Sequence, residues 1–186
     1  ELSDHERREN HGGLRHLILV GRGRCEHVAA ARSQRLRPHC RLLGHNNAVD
    51  VEGDVRAYPV QILMWHEIVN DVAGDVPIAV TFCPLCNSGL IFDRRLDGKV
   101  LEFGVSGMLR FSDMVMFDRQ TESWWQQALG LGIVGRHSGQ ELTQLTAWME
   151  SWDSFRTAHP EGLVMDEPDW QRNYGQNPYI SYDSSI

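Results

Sequence analysis

From Val49 onward, apolar and polar positions alternate in short runs broken by glycine, asparagine, aspartate and proline. Val49–Glu52 and Val55–Tyr58 flank Gly53-Asp54, the pattern of a β-hairpin with a short glycine-containing turn. Pro59 suits the first turn of a helix. Ile62, Leu63, Trp65, His66 and Val69 then recur at spacings of three and four, which predicts an amphipathic helix over Val60–Val69 ending near Asn70-Asp71. Gly74 and Pro77 stop it. Ile78–Phe82 is a β-branched and aromatic run, a strand that delivers Cys83 at its end. Gly89–Arg94 and Val100–Val105 read as strands around an Asp97-Gly98 turn. Met114–Asp118 is another, and Ser123–Gln127 begins the next, followed by Leu131–Val134 among Gly130, Gly132 and Gly135. Thr146–His159 carries Trp148, Trp152 and Phe155 at helical spacing, with Thr146 or Ser151 as its cap. The tail from Asp166 is rich in turn-forming residues and predicts an irregular loop. These elements define an α+β fold, mainly antiparallel β-sheet with two or three short helices.

The first 48 residues lack this patterning apart from Leu17-Ile18-Leu19-Val20. They are also charged differently: residues 1–49 hold nine arginines against five acidic residues, a formal +4, which leaves −11 for the remainder of a chain whose net charge is −7. Such a segment reads as a solvated basic arm, a nucleic-acid tail, or the translation of a shifted reading frame joined to a true domain near residue 48. The last reading is favoured, and under it Cys25, Cys40 and the six early histidines carry no designed chemistry. The expected organisation is a leader over 1–48 and a single domain over 49–186.

Size and charge narrow the function classes. A chain of 186 residues with 41% hydrophobic residues and 6 Trp has enough apolar surface for one sizeable core. The net negative charge argues against a nucleic-acid binder and points to ions or small molecules as partners. No run approaches the roughly 20 apolar residues of a membrane helix.

The informative chemistry is Cys83-Pro84-Leu85-Cys86, which follows Trp65-His66-Glu67 in the chain. Two cysteines at this spacing can converge on one tetrahedral ion or close a small disulfide ring. A thioredoxin-like site needs a helix after the motif, whereas Asn87-Ser88-Gly89-Leu90-Ile91-Phe92 reads as turn then strand. A structural zinc knuckle needs four ligands, and no second Cys-x-x-Cys exists. A third arrangement recruits His66 beside the two thiolates, with Glu67 as ligand or base, and leaves a position open on copper or zinc. The plainer alternative is a buried thiol pair or a Cys83–Cys86 disulfide, with His66 packed in the core.

His66-Glu67 is not the zinc-protease helix motif, because the position four after the histidine is Asn70. Glu67 and Asp71 would share a helix face at i and i+4. Gly104-Val105-Ser106-Gly107 lacks the spacing of a hydrolase elbow, which excludes an acyl-transfer triad. Arg110 can hold an anionic substrate, and Glu67 or Asp118 can move protons. For Asp118 and Arg119 a structural salt bridge at a strand end is the simpler use.

Six ordered blocks carry a family resemblance: Gly53–Pro59, Trp65–Asp71, Val80–Cys86, Phe103–Gly107, Met116–Ser123 and Tyr174–Tyr179. Over about residues 50–183 the chain resembles the bacterial and archaeal domain of unknown function 3179, and residues 1–48 do not follow that pattern. The resemblance implies an exported protein, periplasmic or extracellular, often made with a signal peptide or lipoprotein leader, and further sequence after the last block. It supplies no established reaction. It does imply that the His-Glu and Cys-Pro-x-Cys blocks belong together. Two functions follow: a cell-envelope protein that binds copper or zinc through Cys83, Cys86 and His66, with redox chemistry, or a non-catalytic structural or interaction domain with a Cys83–Cys86 disulfide.

Overall fold

The computed structural model describes residues 17–19, 33–35, 44–168 and 172–180. Among these residues the chain forms three sheets and a two-stranded ribbon, and one strand pair is parallel while the rest are antiparallel. The central sheet runs in the order β14 (Gln144–Leu145), β7 (Ser88–Asp93), β6 (Val76–Cys83), β5 (Ile68–Ala73). Alternation along β6 sends Ile78, Val80 and Phe82 to one face and Ala79 and Cys83 to the other, and both faces are buried.

The Phe82 face packs against helix α1 (Val60–His66) and a second sheet, ordered β15 (Ala147–Ser151), β3 (His45–Val51), β4 (Asp54–Pro59), β16 (Leu163–Met165), β2 (Ser33–Arg35). Val49, Tyr58, Ile62 and Leu63 form that interface. The Cys83 face packs against a third sheet, ordered β1 (Leu17–Leu19), β10 (Phe103–Arg110), β11 (Asp113–Asp118), β12 (Trp124–Gln126), β13 (Leu131–Val134). Here Phe103, Met114, Met116 and Trp125 are buried against Phe92 and Leu101. Each large side chain so buried contributes roughly 1.5–3 kcal/mol. The ribbon pairs β8 (Arg95–Leu96) with β9 (Lys99–Val100).

Two predicted helices are shorter than their period suggests. The pattern over Val60–Val69 spans α1 and the start of β5, since the chain leaves the helix at Glu67 with φ 60°. Val69 keeps the helical spacing because α1 and β5 face the same core. Glu67 and Asp71 therefore share no helix face: Asp71 lies on β5, where it accepts hydrogen bonds from Tyr58 Oη (2.8 Å) and Arg56 Nη1 (3.1 Å). Likewise Thr146–His159 divides into β15 and helix α2 (Trp152–Ala158), capped by Ser151 through a 3.2 Å bond from the Ser154 amide. Trp148 on the strand and Trp152 and Phe155 on the helix enter one cluster, which is why they read as one period.

β3 begins at His45, within the segment assigned to the leader, and Asn46, Asn47 and Ala48 are buried there. Cys25 and Cys40 lie outside the described residues. The tail is irregular over residues 172–180, as expected.

Candidate metal centre

The sulfur turn is built by a hairpin. β6 ends at Cys83 and β7 begins at Ser88, its Cα partner, so Pro84–Asn87 form the connection, with Asn87 at φ 53°. No helix follows, so no helix dipole is directed at either sulfur. Cys83 faces the core and is buried, while Cys86 on the turn is exposed, and both are free thiols.

A third group comes from a different hairpin. β10 and β11 join through Phe111-Ser112, both with positive φ (55° and 60°), and β11 opens with Asp113, which is buried. The Cys86 thiol donates to Asp113 Oδ1 at 3.7 Å, and the Cys83 thiol points to the Ser112 carbonyl at 3.9 Å. One ligand atom each from Cys83, Cys86 and Asp113 lies within 4.8 Å of the others. A tetrahedral zinc with bonds of ~2.0–2.3 Å needs such atoms about 3.5–3.8 Å apart. The Cys86–Asp113 pair already meets that spacing, and no pair in the site needs to contract by more than about 1.3 Å.

Neighbouring polar groups fix the ligands. Asp113 Oδ2 accepts the Ala128 amide at 2.9 Å. Cys86 Sγ is 3.1 Å from Ser88 Oγ, which donates to Gln127 Oε1 at 2.9 Å, and Gln127 Nε2 donates to Thr81 Oγ1 at 2.9 Å. Burial, and then the hydrogen bond with Cys86, pushes the Cys83 thiol up to about 12. Burial also raises Asp113, against the hydrogen bonds it accepts from Ala128, Cys86 and Gln126. Burial thus disfavours the charged forms of Cys83 and Asp113, and a bound divalent ion would favour them.

A backbone hydrogen bond ties the His66-Glu67 block to the strand that ends in this turn. The Phe82 amide donates to the Glu67 carbonyl at 2.8 Å, which puts the His-Glu block at the same sheet end as Cys83. Their side chains engage the Tyr174–Tyr179 block instead. His66 Nε2 lies 2.6 Å from Tyr174 Oη, and Tyr179 Oη donates to Glu67 Oε1. Burial, then the Arg172 charge, lowers the His66 pKa. Burial raises that of Glu67, and the Tyr179 hydrogen bond opposes the rise. His66 is thus not in the three-residue ligand group, and the residue in the place expected of it is Asp113. That backbone bond links the two blocks, and their side chains bond different partners.

The other expected site residues separate. Asp118 is fully buried and saturated: Oδ1 accepts the Thr121 amide (2.7 Å) and hydroxyl (2.9 Å), and Oδ2 accepts Trp125 Nε1 (3.0 Å). It organises the turn after β11, and Arg119 pairs with Glu102 at 3.1 Å rather than with Asp118. Arg110 ends β10 beside Asp113 and donates to Gln126 Oε1. Ser106 sits in a β-bulge, its hydroxyl donating to the Val115 carbonyl at 2.5 Å and accepting the Met108 amide at 3.0 Å.

Other blocks of the resemblance have structural work. Asn70 joins β5 to β10 by bonding both the carbonyl (2.8 Å) and the amide (2.9 Å) of Phe103. Arg56 links Asp54 to Asp71.

A mainly antiparallel β protein with two free thiols and a buried carboxylate gathered at a hairpin turn is the class these features define. The chain belongs to the DUF3179 family, described as a protein of unknown function, whose family model matches residues 26–186. The match reaches further toward the N-terminus than the motif blocks do. Neither a curated protein nor a solved structure matches the chain. No helix among the described residues is long and apolar enough to cross a membrane.

Proposed function

We propose that this protein binds a transition-metal ion, zinc in preference to copper, through Cys83, Cys86 and Asp113. The observation that carries the reading is the convergence of two sulfur atoms and one carboxylate oxygen within 4.8 Å. Zinc accepts mixed thiolate and carboxylate ligands, whereas copper(I) prefers sulfur and nitrogen, so the carboxylate in place of the expected imidazole shifts the choice. Three protein ligands leave a fourth position for water or another small ligand, the arrangement of a catalytic rather than a structural zinc. If a reaction takes place there, Arg110 is the cation on the Asp113 hairpin, and Glu67 is the carboxyl whose backbone adjoins Cys83. A cell-envelope location belongs to the same proposal and rests on the resemblance alone.

The test is elemental analysis of the purified protein beside Cys83→Ser/Cys86→Ser, with free thiols counted before and after reduction. Near-stoichiometric zinc, lost in the double variant, supports the reading, and copper in its place corrects the ion. No metal, with two thiols appearing only on reduction, replaces the reading with a Cys83–Cys86 disulfide.

A further inference from the structure

Arg110 and Asp113 are Cα partners across the Phe111-Ser112 turn, and directly opposed residues of an antiparallel pair project to the same side of the ribbon. Gln126 connects them, accepting from the Arg110 guanidinium and hydrogen-bonding the Asp113 carboxylate. Yet Arg110 forms no ion pair among the described residues, whereas Arg56, Arg95, Arg119 and Arg156 each do. Its carboxylate neighbour is directed elsewhere: one Asp113 oxygen meets Cys86 and the other takes the Ala128 amide. The guanidinium packs over the exposed Phe111 ring, 5.0 Å from its centre, and its bond to Gln126 ties it to a side chain that also bonds Asp113. Of its five N–H donors, the bond to Gln126 uses one.

We propose that the open coordination position next to Cys86 and Asp113 takes one oxygen of a small oxyanion, a carboxylate or a phosphate, whose second oxygen is bound by Arg110. The proposal rests on the metal reading above. Its logic is charge: two thiolates and one carboxylate already exceed the two charges of a zinc ion, so a cation beside the fourth position favours an anionic ligand there over neutral water. Arg110 is that cation, and its planar fork matches the paired oxygens of either anion. Without it the fourth position suits neutral water.

The experiment uses the full chain loaded with cobalt(II) in place of zinc, because its visible spectrum reports the ligand set. Sodium acetate and inorganic phosphate are titrated separately into the wild type, Arg110→Gln and Arg110→Lys. The expected result is a saturable spectral change with at least one anion. In R110Q that change requires about ten- to hundredfold more anion, the loss of a charge-assisted hydrogen bond, with cobalt stoichiometry unchanged. R110K, which keeps the charge without the fork, falls between. A response to phosphate alone assigns phosphate oxyanions as the ligand class, and a response to acetate alone assigns carboxylates. An equal response in wild type and R110Q, or none in a wild type that holds cobalt, overturns the proposal and leaves the metal reading standing. Failure to take up cobalt overturns both.

Discussion

Zinc affinity at the sulfur turn is expected to rise steeply with pH, because Cys83 must give up a proton to bind. Its thiol is pushed up to about 12, so near neutral pH this sulfur carries a proton that it must lose to become a ligand. One proton released per ion bound multiplies the apparent affinity by about ten per pH unit, or about 1.4 kcal/mol. From about pH 6 to about pH 8, Cys83 alone then contributes about a hundredfold, roughly 2.7 kcal/mol. Asp113, raised by burial, steepens the slope at the acid end, where it too holds a proton. Metal-free protein responds with the opposite sign. A carboxyl whose folded pKa lies above its unfolded value binds more protons when folded, so its stabilisation is complete below the unfolded value and is lost as pH rises through the folded one. Stability should therefore increase with pH in the loaded protein, while the Asp113 contribution declines in the metal-free protein. Competition against a chromophoric chelator of known proton affinity gives the first slope, and thermal unfolding with and without zinc gives the second. An apparent affinity that stays flat between about pH 6 and pH 8 would refute the assignment of a buried, protonated Cys83 as ligand.

Three further outcomes follow from the geometry. Asp113→Asn removes a direct ligand and is expected to weaken zinc binding by at least about a hundredfold, beyond what losing a supporting partner costs, while His66→Ala stays within about threefold of wild type; chelator competition on both separates the two ligand sets. Tyr179→Phe removes the hydroxyl that donates to a buried Glu67 and costs about 1–3 kcal/mol in urea unfolding. Because that bond lowers a Glu67 pKa raised by burial, the deficit should grow as pH rises through the folded value, and an equal deficit at low and high pH would contradict it. Asp118→Asn leaves one of its donors facing an amide group and costs about 1–3 kcal/mol, with zinc content per folded molecule unchanged; a selective loss of metal would show that Asp118 serves the site.

The legible parts of the molecule are those set by neighbours in the chain. The period of two over Ile78–Phe82 and the turn residues after Cys83 place both sulfurs on a hairpin, and the Gly53 turn places β3 against β4. Period alone fails at Val69 and Trp148, where a helix and a strand supply one core and a single repeat runs through both. Asp113 was hidden for another reason. It lies 27 residues from Cys86, and only the register of β10 on β11 and the packing of that hairpin on β6 bring them together. The resemblance links His66 and Glu67 to the Cys-Pro-x-Cys block, but the sequence shows neither the sheet end they share with Cys83 nor their phenol partners 108 and 112 residues downstream. Asp118 was legible as a strand end, and its saturation by Thr121 and Trp125 was not.

The long separation of His66 and Glu67 from their tyrosines orders events during synthesis. At ~5–20 residues per second, translation needs roughly 5–20 seconds to run from His66 to Tyr174. During that interval α1, β5 and β6 can emerge and pair, while the imidazole and carboxyl lack their phenol partners. That contact closes last, so a ribosome-bound chain stopped before Tyr174 would present the sulfur turn complete and the His-Glu pair without its tyrosines.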